Sequence, residues 1–230
     1  MRTLNFIGRG SAFNVDEINT SAYIIEGKDI IIIDCGESVF SKMPKILNGN
    51  FERINIFITH LHSDHIGSLS TLIFYCWFKL NKKINIYYRE IKTIKLLLQF
   101  QGVEEKIYNL YADSEVSIGS IDIKSIPVNH CNEILSYAYI LDCRENKIYY
   151  SGDSNDLSFY KSHNIVEENI LCYQDTSLLD YPGNVHCSLK KLRQEIDVKY
   201  RKNIYCMHLD CKELEEKALL AGFNVVRIDN

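Results

Sequence analysis

Proline is scarce in this chain, with three in 230 residues. Eight cysteines are present, yet no two stand in a CxxC pair. Scattered thiols in a chain long enough to build its own core read as reduced cysteines, not as a disulfide framework, and the Cys206/Cys211 spacing is poor for a zinc knuckle. No stretch approaches the roughly 18 apolar residues that span a bilayer. The opening Met1-Arg2-Thr3-Leu4-Asn5-Phe6-Ile7-Gly8 lacks the longer apolar region of a secretion signal, so a cytoplasmic protein without membrane contact is expected. Positive charge is not in excess: the formal net charge is −4, which gives no global pull toward nucleic acid or an anionic membrane and leaves only local basic grooves open. Internal repeats and low-complexity segments are also missing.

What remains is a globular composition, 46% hydrophobic and 24% charged, expected to form one domain over residues 1–230. Alternating or continuous apolar runs predict strands at 2–7, 20–26, 29–34, 54–59, 84–88, 106–111, 115–118, 121–127, 136–142, 147–151, 169–174, 203–207 and 224–228. Helical spacing predicts helices at 38–48, 65–80, 90–101, 155–163, 187–199 and 212–221. Strands first grouped, then alternating with helices, imply an α/β (α+β) chain with two sheets and helices outside them. The helix at 65–80 is apolar nearly all round. Such a helix is buried on more than one side, within the core or against a second copy of the chain in a homodimer.

Chemistry concentrates in His60-Leu61-His62-Ser63-Asp64-His65, directly after the strand Ile54–Thr59. On an extended chain His60 and His62 point the same way, while Asp64 and His65 fall at the turn into the next helix. One short segment can thus hold parts of two adjacent metal sites, and four such residues in six positions are costly without a cation to pair them. His130, Asp153 and His208 each follow a predicted strand, where folds of this kind place chemistry. His60, His62 and His130 would give one cation three nitrogens. Asp64, His65 and His208 would serve the other, with Asp153 able to bridge. Nitrogen and oxygen donors with an open position suit two divalent ions, zinc first, with manganese or iron admitted. A pair of cations with a bridging hydroxide is a device for hydrolysis.

The HxHxDH run at 60–65, with His130, Asp153 and His208, resembles the hydrolase branch of the metallo-β-lactamase superfamily. The opening Gly8-Arg9-Gly10-Ser11-Ala12-Phe13, Asn19-Thr20-Ser21 and Ile33-Asp34-Cys35-Gly36 are similar to that family too. The resemblance implies a four-layer αβ/βα sandwich of two mixed sheets flanked by helices, with the metals at one sheet edge. It also implies that Asp34 steadies the motif histidines.

Gln174-Asp175-Thr176-Ser177 and Asn184-Val185-His186-Cys187-Ser188 resemble elements of ribonuclease Z. The resemblance implies His186 as a general acid toward the leaving oxygen and Asp175 as the group that holds its ring, although the family carries Glu at the latter position. Ribonuclease Z has a long arm between its third histidine and bridging aspartate. Here Cys131 to Gly152 are filled by two predicted strands, so the chain resembles an armless relative. Its expected substrate is a phosphodiester, RNA or a smaller nucleotide-like one, attacked by the bridging hydroxide with Asp64 orienting it or taking its proton. Lactone or thioester hydrolysis uses the same groups, and a metal-bound sensor without turnover is the non-catalytic alternative.

Overall fold

Four consecutive isoleucines, Ile30–Ile33, set up the centre of the fold. β-Branched side chains suit a pleated surface, and an extended chain sends neighbours to opposite faces. Ile30 and Ile32 pack under helices, while Ile31 and Ile33 face a second sheet. The computed structural model describes residues 1–228, so the last two positions of the expected 1–230 domain lie outside the described residues.

The first sheet contains β1 (Asn5–Gly8), β2 (Ser21–Glu26), β3 (Asp29–Ile33), β4 (Arg53–Phe57), β5 (Ile84–Tyr87) and β6 (Tyr108–Tyr111), in that spatial order. Its first three strands are antiparallel and the rest parallel. The second sheet runs β7 (Glu115–Ile118), β8 (Ile121–Val128), β9 (Ser136–Asp142), β10 (Lys147–Tyr150), β11 (Ile170–Asp175), β12 (Ile204–Met207) and β13 (Asn224–Val225). It is antiparallel from β7 to β10 and parallel from β10 to β13. Helices α1 (Met43–Ile46), α2 (Ser63–Ile66), α3 (Leu69–Leu80) and α4 (Ile91–Phe100) pack on the first sheet. Helices α5 (Ser158–Ser162), α6 (Leu189–Glu195), α7 (Val198–Arg201) and α8 (Glu213–Leu220) pack on the second. The result is the four-layer αβ/βα sandwich. Among the described residues, no helix is long and apolar enough to cross a membrane.

Several expected helices are broken. The one at 38–48 becomes a 3-10 turn, Val39–Ser41, and the single-turn α1, because Pro44 near the start of α1 has no N–H to continue a helix from before it. The helix at 65–80 divides into α2 and α3. At the break the Ser68 N–H donates to Cys35 O and its hydroxyl to Glu37 O, so the chain turns around the Asp34–Glu37 loop instead of bonding along one axis. α3 also has an open side: Leu69, Leu72, Ile73 and Cys76 are buried, but Phe78 is 72% exposed. The helix at 187–199 breaks before Asp197, whose carboxylate accepts from Lys199 N and starts α7. The strand at 224–228 is only β13, after which Ile228 bridges to Phe6 of the first sheet.

At the end of β2, Glu26 ties the two sheets together. Its Oε1 accepts from the Ser120 N–H at 2.8 Å and the Ser120 hydroxyl at 2.6 Å, in the β7–β8 turn, while Arg2 pairs with the other oxygen. The Ser120 hydroxyl and then Arg2 hold this carboxyl at about 2, below its ordinary 4.5. A depressed carboxyl contributes stability above its unfolded pKa and loses it as pH falls through the folded one. Glu26→Gln is therefore expected to cost about 1–2 kcal/mol at pH 7. In urea titrations the gap from wild type should narrow as pH falls from 4.5 toward 2; a gap independent of pH would contradict this role.

Candidate metal centre

The carboxyl ends of the parallel strands of both sheets meet along one edge. His60 and His62 follow β4, Asp64 and His65 lie in α2, His130 follows β8 and Asp153 follows β10. Asp175 closes β11, His186 sits in the loop before α6, and His208 directly follows β12. Two contacts bind this edge across the sandwich: Tyr139 OH donates to Ile58 O at 2.6 Å and Tyr137 N–H to Thr59 O at 2.9 Å. The loops are tight. A Cβ on Gly36 would stand 1.8 Å from Asp64 O, so only glycine lets the Asp34 loop lie against α2. Asp34 and His208 both adopt positive φ, 63° and 59°, conformations that cost a non-glycine residue and that cluster where side-chain direction matters.

Three of the histidines form one group. His62 Nδ1 lies 3.0 Å from His60 Nε2 and 3.1 Å from His130 Nε2. The tautomer of His60 follows from its neighbour. Thr59 donates its single hydroxyl hydrogen to Asp34 Oδ2 at 2.8 Å, so it can only accept from His60 Nδ1–H at 3.0 Å. The lone pair of His60 then rests on Nε2 and faces the other two rings. Lone pairs this close repel unless a proton or cation lies among them.

A second group is more regular. Asp64 Oδ2 is 3.3 Å from His65 Nε2 and 3.2 Å from His208 Nε2, while Asp153 Oδ2 is 3.2 Å and 3.3 Å from the same two nitrogens. The four residues offer ligand atoms within 4.8 Å of one another, close enough for a single cation to reach them all. His65 Nε2 is buried with no hydrogen-bond partner among the described residues, and His65 Nδ1 gives its hydrogen to Asp34 Oδ2 at 2.8 Å. That is the orientation of a ligating imidazole held from behind by a carboxylate. Asp153 Oδ2 also stands 3.8 Å from His60 Nε2, between the two groups. Both groups are thus able to hold metal, and their donor set is nitrogen and carboxylate oxygen.

Burial and charge oppose each other here. Asp34, Asp64, Asp153 and Asp175 are all at most 5% exposed. Burial disfavours a charged His208, yet Asp153, Asp175 and Asp64 outweigh it and hold the ring up to about 10. His65 is held well above the imidazole range against burial by Asp153 and Asp34. Burial pushes Asp153 up, but His208 and His65 hold it well below the carboxylate range. Burial, then the nearby His65 charge, pushes His60 well down; burial also brings His130 to about 4, against the pull of Asp153. Without a cation, protons on His65 and His208 compensate the carboxylates, so metal and protons compete for the same atoms.

His186 stands beside these groups, with Nδ1 2.9 Å from Asp175 Oδ2. Burial lowers its pKa and Asp175 raises it, with a net rise. The other Asp175 oxygen lies 3.4 Å from His208 Nδ1, so one carboxylate faces both rings, which stack at 5.0 Å. Sequence reasoning missed this double placement, and it missed Thr59. The only local signal for Thr59 was a hydroxyl at a strand end just ahead of the histidines.

A family model described as Anti-Pycsar protein Apyc1 matches residues 2–226. A protein of that name from Bacillus phage BSP38 is 28% identical over 238 residues, covering 89% of this chain and 88% of the phage protein. Among solved structures, the metallo-β-lactamase fold protein YhfI from Bacillus subtilis aligns with a TM-score of 0.73 and 19% identity over 99% of this chain and 95% of its own. The short form of human tRNase Z (ELAC1) aligns with a TM-score of 0.65 and 16% identity over 98% and 96%. The chain has the metallo-β-lactamase fold.

Removal of divalent ions by a chelator is expected to lower Tm, by the equivalent of about 4 kcal/mol if the ion had been at a thousand times its Kd. In the stripped protein the raised His208 supplies stability that is full below about 6.5 and lost as pH rises toward about 10. The Tm gap between loaded and stripped protein should therefore widen from pH 6.5 to 10. Calorimetry showing no gap, or one that shrinks with pH, would contradict the electrostatic reading.

Proposed function

The chain belongs to the Anti-Pycsar protein Apyc1 family, and on that premise we propose that it is a binuclear metal-dependent hydrolase of small phosphodiesters. The observation that carries this reading is the pair of adjoining ligand groups with the His186–Asp175 pair at their edge. The relatives' name speaks of action against Pycsar, and we propose that role for this chain as well.

His60, His62 and His130 would hold one ion, and Asp64, His65 and His208 would hold the other, with Asp153 able to serve both. Two divalent cations, zinc first, supply a water of lowered pKa and positive charge facing the phosphate oxygens. Asp64 orients the attacking water and takes its proton. His186, whose pKa Asp175 raises against burial, gives a proton to the departing alkoxide. Asp34 and Thr59 fix the tautomers of His65 and His60, so their ligating nitrogens need no reorganisation.

Substrate size follows from the segment between His130 and Asp153. It is spent on the β9–β10 pair, leaving no extended arm to grip a folded RNA. A nucleotide-sized phosphodiester is the substrate class this favours, in a protein that works in the cytoplasm. Lactone or thioester cleavage would draw on the same groups, and a non-catalytic sensor would draw on the metals alone.

A panel of cyclic and linear nucleotides, bis-p-nitrophenyl phosphate and an acyl lactone separates these readings. Turnover of phosphodiesters is expected, lost on Asp64→Ala. Activity confined to the lactone, or inert metal-loaded protein, would reject the proposal. His186→Ala is expected to cut kcat by roughly 10²–10⁴ for alkoxide leaving groups and much less for p-nitrophenolate, which departs without a proton. Equal losses for both would remove His186 from the acid role.

A further inference from the structure

The inward face of the first sheet changes character toward its β6 edge. On β3 and on the later half of β4 it carries Ile31, Ile33 and Phe57. At the start of β4, β5 and β6 it carries Asn55, Asn85 and Asn109, which are aligned strand to strand. The amides form a ladder: Asn85 Nδ2 donates to Asn55 Oδ1 at 2.9 Å and Asn109 Nδ2 to Asn85 Oδ1 at 2.9 Å. Polar groups between two sheets are costly unless paired, and pairing accounts for Asn55, which is 2% exposed. It does not account for the outer two. Each amide has two donor hydrogens and two acceptor lone pairs, and the ladder uses only part of what Asn85 and Asn109 offer.

Those spare groups face a cleft of about 580 Å³ between the first sheet and β7, walled across by Val116, Ser117 and Ile118. This lies within the size range of small-ligand sites. Tyr87 and Tyr111 line it as the outer part of a column of rings: Tyr87 stacks on the buried Phe57 at 4.4 Å and Tyr111 on Tyr87 at 5.0 Å. Tyr111 ends the column and is 37% exposed. The rim carries Arg53, held in place by Asp29, together with Lys83; Glu52 and Asp113 are the acidic members, and Glu52 is engaged by Lys28. Asn55 precedes His60 by five residues, about 16 Å of extended chain, so the cleft stands away from the metal centre.

We propose that this cleft is a second binding site, and that it takes a mononucleotide. A planar amide with one donor and one acceptor matches the edge of a base. The terminal tyrosine supplies a stacking face, and Lys83, with the Nη1 that Asp29 leaves free on Arg53, meets the phosphate. The site goes beyond the hydrolytic reading and does not depend on it.

The probes are adenosine and cytidine 5′-monophosphate, titrated calorimetrically into chelated protein so that the metal centre does not compete for phosphate. Binding is expected to persist after chelation and to weaken about tenfold in Tyr111→Ser and in Asn109→Leu. Tyr111→Ser changes a partly exposed residue and guards against a folding defect in the ladder variant. Metal-loaded variants should turn over bis-p-nitrophenyl phosphate as wild type does. No binding by chelated protein at millimolar nucleotide, or binding equally strong in both variants, overturns the second site and leaves the catalytic reading untouched.

Discussion

Four buried carboxylates set the terms for everything at the candidate site. Asp34, Asp64, Asp153 and Asp175 come from four different segments and converge where water is excluded. So much negative charge in one dry place is sustainable only with positive charge among it. Protons on His65 and His208 can supply that charge. So can metal, since Asp64, His65, Asp153 and His208 bring ligand atoms within 4.8 Å of one another. The same demand explains why the loops tolerate left-handed backbone at Asp34 and His208.

The scaffold's contribution is orientation. Asp34 directly follows β3, and its two oxygens hold the Thr59 N–H and hydroxyl as well as the His65 ring. Through Thr59 the same carboxylate reaches His60, so one residue governs a nitrogen in each ligand group. Asp175 plays a comparable part on the second sheet, facing His186 and His208. On the account proposed above, these two aspartates keep ligands and acid in place while substrate comes and goes.

The architecture was legible in the sequence because its strands are short, apolar and regularly punctuated. The dense HxHxDH segment was legible for another reason: its residue types have little bland use together. Helix continuity was not legible. Gly67 and Ser68 are acceptable within a helix, and the break there arises from bonds to Cys35 and Glu37, 33 and 31 residues earlier in the chain. Thr59 was hidden for the same reason, since its function appears only once Asp34 lies beside it. The asparagines of β4, β5 and β6 look like unremarkable polar positions until the register of parallel strands aligns them.

The central claim is that the converging imidazoles and carboxylates cage a pair of cations. The most direct measurement is an anomalous difference map from a crystal of protein purified without chelator, collected on both sides of the zinc edge. The account predicts two neighbouring peaks, one among His60, His62 and His130 and one among Asp64, His65 and His208, with Asp153 between them. An empty pocket in a folded, active protein, or peaks bound elsewhere on the chain, would contradict it.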